Sequence, residues 1–110
     1  MKRLAFLLLA PMLAAVALAA PDARLLAKGQ AILDKNCSRC HSIGKDGASP
    51  HEKAPPFRTV VTRYPAETLA EALAEGLVSG HPDMPEFTFE PTEIDAIIAY
   101  LDSLGRPVKK

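Results

Sequence analysis

The sequence predicts an all-α domain of about three helices joined by long loops. Apolar residues recur at helical spacing in three stretches, residues 22–36, 66–77 and 92–104, and no stretch alternates apolar with polar as a half-buried strand would. Glycine and proline break the chain between them, at Gly44, Gly47, Pro50, Pro55 and Pro56 in one interval and at Gly80, Pro82 and Pro85 in another. No repeat and no low-complexity segment interrupts this pattern.

From Asp22 to Asn36 the residues Leu25, Gly29, Ile32 and Leu33 share one helical face. Glycine inside a helix costs about 1 kcal/mol relative to alanine, so Gly29 is expected where another backbone comes close. This helix runs straight into Cys37-Ser38-Arg39-Cys40-His41, and residues 42–56 follow as loop. The second helix, Ala66 to Leu77, has Pro65 suited to its first turn and a stripe of Leu69, Leu73 and Leu77. Glu67, Glu71 and Glu75 share the opposite face, which reads as solvated surface rather than a metal site, and Gly76 and Gly80 mark the helix end. Two prolines within four residues make Gly80 to Pro85 stiff and non-helical. In the last helix Thr92 with Asp95 resembles a capping box beside Pro91, and Ile94, Ile97, Ile98, Leu101 and Leu104 form its apolar face, closed by Gly105 and Pro107.

The chemistry is concentrated in residues 37–41. Two cysteines three apart, with histidine directly after the second, is the spacing of c-type haem attachment. On a helical turn Cys37 and Cys40 lie on one face, where both sulfurs can reach two vinyl groups on one porphyrin edge, and His41 can bring a ring nitrogen to the iron from the same side. A thioredoxin-like pair belongs to a βαβ setting that the sequence lacks. A zinc site needs a second ligand pair, and there are only two cysteines in the chain. A structural disulfide across three residues makes a tight, strained loop.

Targeting and composition narrow the class. Lys2 and Arg3 precede an almost wholly apolar run from Leu4 to Leu18, and Ala17-Leu18-Ala19 gives a cleavage box, so residues 1–19 read as a secretory signal and 20–110 as one domain. A membrane span would need roughly 20 apolar residues, and this run is short and interrupted by Pro11. The expected product is therefore a periplasmic monomer without stable membrane insertion. Cleavage leaves 11 basic and 13 acidic residues, a balance unlike that of a nucleic-acid binder. The charge is uneven: residues 20–63 hold eight Lys and Arg against four Asp and Glu, and residues 64–110 hold three against nine. A domain this small, without tryptophan, has a thin core that a buried porphyrin would complete.

With Met1 and Met12 in the signal, Met84 is the one methionine left. It stands in the proline-stiffened loop, and a neutral thioether suits haem iron as a sixth ligand. Core packing is the ordinary role of a lone methionine. His51 and His81 are the competing ligands: the ten residues after His41 are too few to carry His51 round the haem edge, while His81 is near enough to rival Met84. An exposed loop position is the commoner explanation for each.

These residues resemble the class I, mono-haem c-type cytochromes, in particular the short exported bacterial ones. The resemblance covers nearly all of residues 20–110. Gly29 stands eight residues before Cys37 as that family's helix glycine does, with Leu33 at the adjacent packing position. Cys37, Cys40 and His41 match the attachment motif, Met84-Pro85 the distal ligand, and Ile98-Ala99-Tyr100-Leu101 the C-terminal helix whose aromatic crosses the first helix. Ala54-Pro55-Pro56-Phe57 looks like the segment whose proline, here Pro55, offers its carbonyl to the axial histidine. The loop 42–53 and the stretch 80–87 depart from the mitochondrial pattern.

The resemblance implies a cytochrome c fold around one covalent haem c, Cys37 and Cys40 as attachment residues, and His41 and Met84 as iron ligands. It implies a one-electron carrier, with no catalysis of its own, between membrane respiratory or photosynthetic complexes or for a periplasmic dehydrogenase. The alternatives are a catalytic or sensing haem protein, such as a peroxidase or gas sensor, which needs an open sixth site, and a subunit held permanently in a dehydrogenase. Lys35, Arg39, Lys45, Lys53 and Arg58 cluster around the motif and the loop after it. They read as a basic collar at one haem edge that steers an acidic partner, or as ordinary solvated charges.

Overall fold

A computed structural model describes residues 22–77 and 80–105, with isolated positions ahead of them at 5, 7, 8, 10–12 and 14. The cleavage box at residues 17–19 lies outside the described residues, and the signal segment is described only at those isolated positions. Among the described residues there are four α-helices: α1 (Ala23–Cys37), α2 (Phe57–Arg63), α3 (Ala70–Glu75) and α4 (Pro91–Gly105). A 3-10 turn, Ala66–Leu69, leads into α3. The described residues contain no strand, only an isolated antiparallel bridge between Leu77 and Phe87.

The frame of the molecule is the crossing of α1 over α4. The Asp22 carboxylate accepts the Arg24 backbone N–H at 2.9 Å and so starts α1. Gly29 is buried where the helices meet: a Cβ there would collide with the Ala96 carbonyl oxygen and stand 2.7 Å from its carbon and 2.9 Å from Tyr100 Cβ. The glycine thus trades helix propensity for close approach of the two backbones, as its position predicts.

The core grows from that crossing. Leu33 on α1 packs with Ile94, Ile97, Tyr100 and Leu101 on α4, and with Ala66 and Leu73 from the segment between. Ile97 is 0% exposed and is the largest fully enclosed side chain. Burying each of these larger aliphatic side chains contributes roughly 1.5–3 kcal/mol. Tyr100 spans the domain, its hydroxyl donating to the Ile43 carbonyl at 2.7 Å and tying α4 to the loop after the cysteine motif. Burial pushes the Tyr100 hydroxyl pKa up, which keeps it a proton donor in that bond.

Three elements depart from the sequence reading. The helix predicted over residues 66–77 is a 3-10 turn followed by a short α3; it stops at Glu75 because Gly76 adopts φ +118°, and Leu77 leaves to pair with Phe87. The capping pair of α4 is not Thr92 with Asp95: the Glu93 carboxylate reaches back to the Glu90 N–H at 3.0 Å, so the helix starts at Pro91 and Thr92 lies inside it. The third is α2, which the sequence does not announce. Its Thr59-Val60-Val61-Thr62 run has low helix propensity. It forms because Phe57 N–H is held by the Ser42 carbonyl at 2.9 Å and because Phe57 and Val61 pack on the core.

Candidate functional site

All of these elements border one cavity of about 840 Å³, within the range of small-molecule and cofactor sites. Its walls are mainly apolar: Leu33 from α1, Leu69 and Leu73 from the middle segment, Ile97 and Leu101 from α4, and Phe87 from the loop before α4. Cys37, Cys40, His41 and Met84 all line it. Four positions spread over 48 residues of sequence therefore converge on one space.

The attachment motif reaches the cavity as an extension of α1. Cys37 is the last residue of that helix, and the turn is prolonged by N–H donation from Cys40 (3.2 Å) and His41 (2.9 Å) to the Cys37 carbonyl. Ser38 Oγ donates back to the Asp34 carbonyl, holding the same turn. Burial, and secondly the neighbouring Cys40, push the Cys37 thiol up to about 11. A thioredoxin-type nucleophile needs the opposite shift, so the pair lacks the electrostatics of a redox dithiol.

His41 is held from behind. Its Nδ1 lies 2.7 Å from the Pro55 carbonyl oxygen, and that oxygen can only accept, so Nδ1 carries the proton and Nε2 keeps its lone pair. The Phe57 ring packs against the imidazole at 4.8 Å between centroids, tilted by 30°. The Pro55 carbonyl is held in place by its own loop: Ser42 N–H donates to Ser49 Oγ at 3.0 Å, and Arg58 donates to Ser42 Oγ (3.2 Å) and to the Gly47 carbonyl (2.7 Å). The Pro55 contact agrees with the sequence expectation; the packing of Phe57 is legible there only as the residue after Pro55-Pro56.

Met84 arrives on a loop closed at its base. Leu77 N–H donates to the Phe87 carbonyl at 3.1 Å, and Phe89 N–H to the Leu73 carbonyl at 2.9 Å. Gly76 holds φ +118°, a conformation that strains any other residue, and a Cβ there would also displace the Glu86 carboxylate. Within the loop, Met84 N–H donates to the His81 carbonyl at 3.1 Å, and Met84 itself is half-buried.

His51, whose backbone N–H donates to the Cys40 carbonyl at 3.1 Å, also lines the cavity, and its ring sits 5.9 Å from that of His81, the planes at 90°. The collar divides as well: Lys35, Arg39 and Lys53 line the cavity, whereas Arg58 is engaged in bracing the loop. Tyr64, 57% exposed, also borders the cavity, an arrangement that nothing in its sequence neighbourhood signals.

The arrangement accommodates a haem group. It offers a mainly apolar cleft, two adjacent thiols on one turn, an imidazole with its second nitrogen anchored, and a thioether on a separate loop. The cytochrome c family profile matches residues 26–105, a span that runs from α1 to the end of α4. No curated protein and no solved structure matches the chain significantly. The chain belongs to the cytochrome c family, haem-binding electron-transfer proteins whose cofactor is covalent haem c, and Cys37 and Cys40 have the spacing of its attachment motif. The all-α architecture is that family's fold. Among the described residues no helix is long and apolar enough to cross a membrane.

Proposed function

We propose that this chain is a mono-haem, class I carrier of single electrons, exported to the periplasm, with Cys37 and Cys40 as thioether attachment points and His41 and Met84 as the two axial ligands. One observation carries the reading: His41, its Nδ1 bonded to Pro55, and Met84, on an independently closed loop, line the same cavity. Haem c supplies reversible one-electron exchange there. The residues of this chain do the rest. Two neutral ligands leave the extra charge of the ferric state uncompensated, which favours the ferrous state and raises the potential. The apolar walls add to this by excluding water. Were His41 and Met84 both to hold the iron, no coordination site would remain open to a substrate, so the reading is a carrier rather than a peroxidase or gas sensor.

Lys35, Arg39 and Lys53 at the cavity favour an acidic partner surface, as a redox complex in the membrane or a periplasmic dehydrogenase would present. The test combines two measurements on protein purified from the periplasm. Haem stain must stay with the polypeptide through a denaturing gel, and the ferric spectrum must carry the methionine–iron charge-transfer band. Haem that separates from the chain overturns the attachment, and a missing band overturns the ligand pair.

A further inference from the structure

Two loops meet at the cavity through polar side chains. His51 belongs to the loop after the attachment motif, and His81 and Asp83 stand just ahead of Met84. The imidazoles lie edge to face at 5.9 Å, and His51 Nε2 is 3.5 Å from Asp83 Oδ2, within ion-pair range. Each ring is also fixed at its other nitrogen. Lys53 N–H donates to His51 Nδ1 at 3.1 Å, and Asp83 N–H donates to His81 Nδ1 at 3.3 Å. A ring nitrogen that accepts carries no proton, so the ring proton sits on Nε2, which in His51 faces the Asp83 carboxylate. These tautomers make the cluster a poor transition-metal site, because each ring spends its lone pair on a backbone N–H. Among the described residues no group of three or more His, Cys, Asp or Glu is placed to hold a metal ion.

The two ends of this contact are each tied to the site. His51 N–H donates to the Cys40 carbonyl at 3.1 Å, and Met84 N–H donates to the His81 carbonyl at 3.1 Å. A continuous path therefore runs from the attachment motif through His51, Asp83 and His81 to Met84. Between Gly80 and Glu86 the chain is mostly exposed, and the Leu77–Phe87 backbone bond closes the base of the loop. Short exposed loops of this kind open locally at low free-energy cost, so one cross-loop contact has leverage on how often they open.

We infer that His51 is a positioning residue: with Asp83 and His81 it fastens the Met84 loop across the cavity and sets how often Met84 is released from the iron. The inference rests on Met84 being the distal ligand. It also explains why His81, close as it is, does not displace Met84, since its ring is occupied by Asp83 N–H and packed against His51.

The test uses ferric holoprotein and measures the limiting rate at which added imidazole captures the iron, because Met84 must leave first. His51→Ala and Asp83→Ala should each raise that rate about fivefold, the scale of a single hydrogen bond. The double variant should be no faster than His51→Ala, since one contact has been removed twice. His51→Gln, which keeps a donor of similar reach, should restore most of the wild-type rate, and Lys45→Ala, in the same loop, should leave it unchanged. An unaltered rate in His51→Ala, additive effects in the double variant, or equal acceleration by Lys45→Ala overturns the clasp while leaving the ligand reading intact. A wild-type spectrum without the methionine band overturns both. Should His51→Ala fail to accumulate, Asp83→Ala, at an exposed position, carries the same test.

Discussion

At the scale of single residues the site depends on which atom of each side chain is already committed. His41, which lines the cavity, gives its Nδ1–H to Pro55 and keeps Nε2 uncommitted to that bond, so the ring is oriented before any ligand arrives. Met84 has no such second anchor on its side chain; its backbone and loop position it. Met84→Ala should therefore abolish the charge-transfer band and open the site to carbon monoxide and peroxide. It should also lower the potential by more than about 59 mV, the tenfold step for one electron. An unchanged spectrum would move the assignment to His81. Tyr100→Phe removes only the donor to Ile43 and should cost about 1 kcal/mol in a urea melt with the spectrum intact.

At the scale of elements the decisive feature is the α1–α4 crossing. Gly29→Ala places a methyl group against the Ala96 carbonyl and Tyr100 Cβ, and the helices must part to admit it. Overpacking of this kind costs about 1–3 kcal/mol, while the better helix propensity of alanine returns at most about 1. A net loss of stability by denaturant unfolding is expected, and an unchanged midpoint would mean that the crossing yields. The two long helices and the glycine were legible in the sequence because period and composition agree over four turns. The short α2 was not: seven residues rich in threonine and valine carry no helical period, and packing on α4 overrides their propensity.

At the scale of the molecule, stability and docking follow from the same small size. Leu33, Leu73, Ile97 and Leu101 belong to the small core and also line the cavity, so without the cofactor one side of that core would go unpacked. The Cys37→Ala, Cys40→Ala chain is expected to be largely unfolded by circular dichroism, and a cooperative, native-like melt would contradict that. The uneven charge survives folding as basic residues at the cavity and exposed Glu67, Glu71 and Glu75 on the middle segment. Electron exchange with the physiological partner should slow as salt is added, and less steeply in Lys35→Glu with Lys53→Glu than in wild type. A rate indifferent to both changes would mean that docking is apolar.

The sequence by itself determined what is local. The CxxCH spacing, the helix periods and the proline-stiffened Met84 segment each depend on residues within a few positions of one another, where geometry follows directly from φ/ψ and rise per residue. It also placed Pro55 behind His41, by resemblance rather than by spacing. Only the tertiary structure decided what meets across the chain. His51 beside His81 and Asp83, Phe57 against His41, Tyr64 at the cavity and α2 against α4 all join segments whose sequence separation says nothing about distance. Those contacts exist because burying the faces of α1 and α4 at Gly29 pulls their loops onto one side, and which loop residues then touch is settled by packing rather than by period.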